Sequence, residues 1–219
     1  MRGKGTSVAT TQSPDTNIAS VVAEAIRGRR SVRGYRPDAV PEEALQAALD
    51  AARWAPSPHN AEPWRFVVVR SADAKHRLAE SMGQQWERDL SADGLSVEAI
   101  ERERRISYRR ITSAPVVLLV CLTDEGLDQY PDPERARAEL LMATQSLGAA
   151  VQNVMLEAHA RGLATGWMCA PLFCPTVVVE ALGLPTKLTP QGLITLGYAA
   201  VEAPARDRRP MSELVIELP

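Results

Sequence analysis

Cysteine and histidine are scarce in this chain, with three of each among 219 residues. Cys121, Cys169 and Cys174 form an odd set with no disulfide framework, and Cys121 sits in an apolar run as a small hydrophobe. His59, His76 and His159 are scattered, so neither residue type gathers at metal-ligand spacing and no metal is expected. Excess charge of one sign is also missing. A formal net charge of -2 leaves no basic surface for nucleic acid and no attraction to an anionic membrane. Two stretches lack charge, but 140–156 contains Thr144, Gln145, Ser146, Gln152 and Asn153, and 162–179 is broken by Pro171 and Pro175. Neither offers the roughly 20 apolar residues of a membrane span. The first 17 residues hold no apolar signal core and are small and polar, so a disordered tail over 1–17 and a cytoplasmic location are expected. Several catalytic motifs are absent as well: GxGxxG, GxxxxGK[ST], GxSxG and HExxH.

What remains is an ordinary globular composition, 45% hydrophobic and 24% charged, fitting a single domain over 18–219. Asp15, Thr16 and Asn17 offer caps for a helix whose Ile18, Val21, Val22, Ala25 and Ile26 form a stripe expected to be buried. Pro41, Glu42 and Glu43 open a second helix, which ends before Pro56 and Pro58. Trp64–Val69 and Val116–Leu122 read as strands, the second buried on both faces. Between them a charged helical excursion is expected at about 73–112, either covering a pocket or simply solvated. A long helix from Pro133 to about Arg161 carries small or apolar residues almost all round, as a core or subunit-interface helix would. Short strands at 164–168, 193–198 and 214–217, with a helix at 175–182, complete a mixed α+β pattern of four or five strands.

Three segments, and a basic cluster near the C-terminus, carry groups suited to chemistry. Arg29, Arg30, Ser31 and Arg33 place three guanidinium groups and a hydroxyl within five residues, a match for phosphate, although such a run also occurs as a solvated turn. A second basic cluster, Arg206, Arg208 and Arg209, is equally open to both readings. The proline-stiffened loop holding Ser57, His59, Asn60 and Glu62 offers donors and acceptors to a flat heterocycle. Gly166, Trp167, Met168, Cys169 and Ala170 leave a strand and can aim backbone amides at a ligand. Cys169 has no histidine near in sequence to activate it, so a nucleophilic role is not expected.

RRSVR, PSPHNAEPW, GLATGWM, ITLGY and the Arg206–Arg209 cluster, in that order, resemble the nitroreductase-like FMN-dependent enzymes from about Ala25 to the C-terminus. The resemblance implies a central, mainly antiparallel sheet wrapped by helices in an intertwined homodimer, with FMN at the subunit interface. It implies that Arg29, Arg30, Ser31 and Arg33 hold the phosphate and nearby flavin edge, with Arg206 or Arg208 closing on the phosphate. Ser57, His59 and Asn60, from the other subunit, would touch the flavin ring, and Met168, Cys169 and Ala170 would line its edge. No acid or base side chain is required, so no catalytic residue is named; the chemistry is the flavin's. Relatives often carry Gln where this chain has Glu62, and vary at Arg30.

Within the family, SVRGYRPDAVPEEAL, PSPHNAEPWRFVVV, the Trp86–Glu87–Arg88–Asp89–Leu90 stretch and GWMCAPLFCP look closest to the reductase domain that completes the deazaflavin coenzyme F-420. That implies Trp86, Arg88 and Asp89 as substrate contacts. Arg88, Arg104 and Arg105 would suit a polyanionic phosphorylated substrate, and NAD(P)H or a deazaflavin would be the redox partner. The alternatives are a general NAD(P)H-dependent nitro or quinone reductase, a non-catalytic flavin-binding protein, and a structural protein without cofactor.

Overall fold

Every residue of β2 (Val116–Leu122) is buried, and its alternation divides the protein into two cores. Val116, Leu118, Val120 and Leu122 point to one face, where they meet Leu45 and Ala48 of α2 (Glu42–Ala52) and Leu147, Val151 and Val154 of α5 (Pro133–Ala160). Val117, Leu119 and Cys121 point to the other. There they pack with Leu78 and Met82 of α3 (Ala72–Ala92) and Val178 of α6 (Pro175–Leu182). The period of two in a strand thus builds helix layers on both faces of one sheet. The computed structural model describes residues 16–218.

The sheet has four strands in the order β1 (Trp64–Val69), β2, β4 (Thr189–Gly197), β3 (Ala164–Met168), and every neighbouring pair is antiparallel. A bulge between Val120 and Cys121 sets Pro190, which has no amide hydrogen, opposite Cys121. The charged excursion is a helix pair, α3 and α4 (Val97–Thr112). Each begins at a serine whose hydroxyl accepts from an amide three residues on: Ser71 from Ala74 and Ser96 from Ala99. Across the pair, Arg104 bonds Glu87 at 2.6 Å and Glu80 at 3.1 Å, and His76 Nδ1 lies 2.6 Å from the Tyr108 hydroxyl. No helix among the described residues is long and apolar enough to cross a membrane.

Four expectations need correction. The first helix, α1, begins at Thr16, so Thr16 and Asn17 belong to it; residues 1–15 lie outside the described ones. Its apolar stripe is not buried in the single chain: Ile18 is 63% exposed, and Val21, Val22 and Ile26 are also open, because α1 touches the rest of the chain mainly near its C-terminal end. The segment 214–217 is no strand. It follows a short turn at Met211–Glu213 and finds no strand partner among the described residues, and Ile216 is 89% exposed. The strand expected at 193–198 starts earlier, at Thr189, because β2 pairs with it along its full length.

Candidate functional site

After α1 (Thr16–Gly28) the chain crosses the edge of the sheet. Ser31 bridges Thr165 of β3 in parallel, and the Val32 amide donates to the Thr165 carbonyl at 2.9 Å. Tyr35 locks this crossing. Its buried hydroxyl donates to the Val32 carbonyl at 2.8 Å and lies 2.7 Å from Thr195 Oγ1. The Thr195 hydroxyl also reaches the Gly166 carbonyl at 3.2 Å. Burial pushes the Tyr35 phenol up from its ordinary 10 to about 12, against the smaller opposing effects of Thr195 and Arg33. The folded protein therefore keeps a proton that the unfolded chain releases above pH 10. This contribution to stability is complete below pH 10 and is lost as pH rises toward 12. Tyr35→Phe should lower stability by about 1–3 kcal/mol, since it orphans buried partners. It should also remove this part of the alkaline loss, measurable as a shallower decline of denaturation midpoint above pH 10.

The crossing leaves a cleft of about 670 Å³ beside it. Arg29, Arg30, Val32, His159, Thr165 and the 199–205 segment contribute to its walls. Two buried polar atoms of wall residues, Arg29 Nε and Thr165 Oγ1, have no partner among the described residues. A buried donor left unpaired costs about 1–3 kcal/mol, so atoms of this kind in a cleft wall mark a polar ligand, and for a guanidinium an anionic one. Arg30 instead folds back, its Nη1 donating to the carbonyls of Gly28 and Arg29 at 3.1 Å each. His159 closes the far wall from the last turn of α5, where its ring approaches Gly28 so closely that a Cβ there would lie 2.8 Å from Nε2.

The second predicted segment is strained. His59, Asn60 and Glu62 hold φ of 53°, 54° and 45°, a region that side-chain-bearing residues rarely occupy. Three such residues within four positions are sustained by a tight local network: Ser57 Oγ accepts from the Glu62 amide at 3.1 Å, and the Ser57 carbonyl from Asn60 at 3.2 Å. Backbone strain of this kind collects at functional sites. Within one chain, however, this loop does not meet the Arg29 cleft. His59 Nε2 lies 3.6 Å from Asp128 Oδ2, and Ala61 abuts Gly126.

The third segment follows β3. Met168 packs against the second core, while Cys169 and Ala170 are exposed at the head of a short turn, Ala170–Phe173. Burial raises the Cys169 thiol above its ordinary value, so little thiolate forms at neutral pH. Cys169→Ser should accordingly leave steady-state turnover within about twofold, since no nucleophile is lost; a drop of tenfold or more in kcat would assign the thiol a chemical role. Asp89 approaches this region, since its charge helps raise the buried Cys174 thiol after desolvation. Trp86 is half-buried on the same helix, while exposed Arg88 donates to Gln85 at 2.7 Å. Arg206 and Arg208 are exposed and make no ion pair among the described residues. Among those residues no group of three or more His, Cys, Asp or Glu is placed to hold a metal.

Sequence reasoning missed Thr165 and His159 as wall residues. Thr165 reads as a β-branched strand residue and His159 as the basic end of a helix, so neither carries a separate signal. It also grouped Arg104 with Arg88 and Arg105, whereas Arg104 is committed to Glu80 and Glu87.

A model of the nitroreductase family matches residues 26–198. A Methanothermobacter thermautotrophicus protein assigned as an NADH dehydrogenase/NAD(P)H nitroreductase is 31% identical over 188 residues, covering 85% of this chain and 81% of its own. Nitroreductase NfnB of Mycolicibacterium smegmatis is 31% identical over 204 residues, covering 85% and 86%. Among solved structures, a protein from Desulfovibrio desulfuricans assigned as a nitroreductase, in complex with FMN, superposes with a TM-score of 0.68. It is 31% identical, and the match covers 90% of this chain and 96% of that one.

Proposed function

This chain belongs to the nitroreductase family, and on that premise we propose that it is an FMN-dependent NAD(P)H oxidoreductase whose cofactor phosphate is held by Arg29. The observation that carries the reading is the unpartnered Arg29 Nε of a cleft-wall residue, with the unpartnered Thr165 Oγ1 belonging to another wall residue of the same cleft. A charged donor and a hydroxyl, both buried and both unsatisfied, fit a phosphate ester. The relatives support the same cofactor and donor: one is assigned as an NAD(P)H nitroreductase and one holds FMN.

In this reading FMN supplies hydride transfer between NAD(P)H and an acceptor. The chain's own residues do the rest. Arg29 and Ser31 bind the phosphate from a segment fixed to β3, with Arg30 folded beside them as a lesser contact and Arg206 or Arg208 closing on it from the C-terminal segment. Ser57, His59 and Asn60 present a strained, pre-set edge of donors and acceptors to the ring. Met168, Cys169 and Ala170 offer backbone groups from the β3 exit. Trp86, Arg88 and Asp89 approach from α3 as substrate contacts.

The functional unit in this reading is a homodimer, and the protein is cytoplasmic. A second copy accounts for the apolar surface that one chain leaves open: the α1 stripe, Leu140 and Leu141 of α5, and Leu214 to Leu218. It also accounts for the distance between the Asn60 loop and the Arg29 cleft within one chain, because the loop would then serve the partner's cleft. The physiological acceptor in this reading is a deazaflavin coenzyme precursor, which carries phosphate and meets an arginine-rich α4. Rapid-mixing kinetics on the flavin-loaded protein test both levels. NADPH or NADH should reduce the flavin, and the deazaflavin precursor should reoxidise it at least tenfold faster than a nitroaromatic does. Equal reoxidation by both would favour a general nitro or quinone reductase. No reduction by either nicotinamide would leave a flavin-binding protein only.

A further inference from the structure

The helix α4 carries five arginines, and they divide into two groups. Arg102 pairs with Glu103, and Arg104 with Glu80 and Glu87. Arg105, Arg109 and Arg110 have no ion pair and donate no side-chain hydrogen bond among the described residues. These three converge with Arg33, from the segment that crosses β3, around a concavity of about 320 Å³ whose remaining wall residue is Ile106. No carboxylate lines it.

Four guanidinium groups around one hollow repel one another, and none can relieve this by losing its proton, since arginine stays charged at any accessible pH. Arg105 and Arg109 stand four apart on one helix face, an arrangement of like charges that disfavours the free helix. A fold that tolerates this next to well-paired arginines gains something when an anion is present. Forked donors from several directions match the oxygens of a phosphate group. The volume is at the low end for ligand sites, enough for a phosphate or diphosphate but too small for a whole dinucleotide.

Its position names the ligand class. Arg29 lines the larger cleft and Arg33, four residues on in the same segment, lines the hollow. We propose that Arg33, Arg105, Arg109 and Arg110 form a second anion site, which takes the phosphate of the redox partner rather than that of FMN. The proposal rests on the flavin reading above and leaves Arg33 at the flavin edge, where it would also border the phosphate of the redox partner. The shared chemistry is a phosphate ester next to a redox-active ring. It comes either from the 2′-phosphate of NADPH or from a phosphorylated acceptor.

The test compares the flavin-loaded wild type with Arg105→Gln/Arg109→Gln, using inorganic pyrophosphate as the probe in calorimetric titration at low ionic strength. Expected is pyrophosphate binding at least tenfold weaker in the variant, with flavin content unchanged. The melting temperature of the variant in phosphate-free buffer should equal or exceed that of the wild type, because a repulsion has been removed. The two sources separate in kinetics. A KM for NADPH raised at least tenfold, with that for NADH unchanged, identifies the 2′-phosphate. Unchanged KM for both donors, together with loss of pyrophosphate competition against the acceptor, identifies the acceptor phosphate. Equal pyrophosphate affinity in the two proteins overturns the proposal, as does parallel loss of flavin, which would make the cluster part of the cofactor cleft. A wild type that binds pyrophosphate through these residues but holds no flavin overturns the redox role and the function reading together. That pattern differs from every other outcome.

Discussion

If Arg29 holds the FMN phosphate as proposed, Arg29→Ala should weaken FMN retention about a hundredfold while leaving the fold intact. The side chain reaches a cleft wall with one donor already buried and unpartnered, so the folded protein bears the cost of desolvating it before the cofactor arrives. Binding an anionic phosphate recovers that cost. A charge-assisted hydrogen bond of this kind is worth about 1.5–3 kcal/mol, and its full loss approaches a hundredfold in dissociation constant. The truncation removes an unsatisfied group and no internal partner, so thermal stability of the flavin-free protein should stay the same or rise slightly. Arg30→Ala is the contrasting case. Arg30 bonds backbone carbonyls of its own turn, and its loss should weaken FMN much less. Equilibrium dialysis of FMN against the three proteins gives the comparison. Equal affinities for wild type and Arg29→Ala would place the phosphate elsewhere.

The second large effect is expected at Gly166. A Cβ built there would lie 2.2 Å from the Val32 carbonyl oxygen and 3.0 Å from Thr195 Oγ1. Neither atom can yield easily. The Val32 carbonyl accepts from Tyr35, and Thr195 belongs to β4 and bonds the Gly166 carbonyl. Gly166→Val must therefore push the 31–33 segment off the sheet or break the β3–β4 ladder. Overpacking of this severity costs about 3 kcal/mol. For a domain of this size that lowers the melting temperature by roughly 10 °C. Because the displaced segment carries Ser31 and directly follows Arg29, FMN affinity should fall with stability. Gly34→Ala is the control: it lies in the same segment, nothing stands within 4 Å of its added Cβ, and it should be nearly neutral. Calorimetric melting of both variants, with and without FMN, decides whether the glycine holds the crossing in place.

Much of this was legible in the residues. A seven-residue apolar run announced a strand buried on both faces, and β2 is that strand, because its alternation serves two cores at once. Long periodic helices and the proline starts at Pro41 and Pro133 were also readable, whereas the serine and aspartate caps of α3, α4 and α5 were not singled out. What failed were inferences from amphipathicity to burial. The α1 stripe and the 214–217 segment have the right pattern, but one chain has nothing to cover them. Their pattern describes surfaces that a single chain does not complete.

At the site, RRSVR drew attention to the segment but not to its division. Arg29 and Arg33 are four residues apart, and the crossing over β3 sends them to different hollows. Proline content correctly suggested a stiff loop at Ser57–Glu62. It did not foretell three positive φ values, because strain of this kind is held by tertiary contacts rather than by local preference. The arginines of α4 look alike in sequence. Only packing against α3 reveals that Arg104 is neutralised by Glu80 and Glu87 while Arg105, Arg109 and Arg110 are not.

The most direct measurement is the visible spectrum of the purified protein after FMN addition and gel filtration. The account predicts oxidised-flavin bands at about one FMN per chain, eluting at twice the 23.8 kDa chain mass. A colourless protein peak after incubation with excess FMN would contradict it.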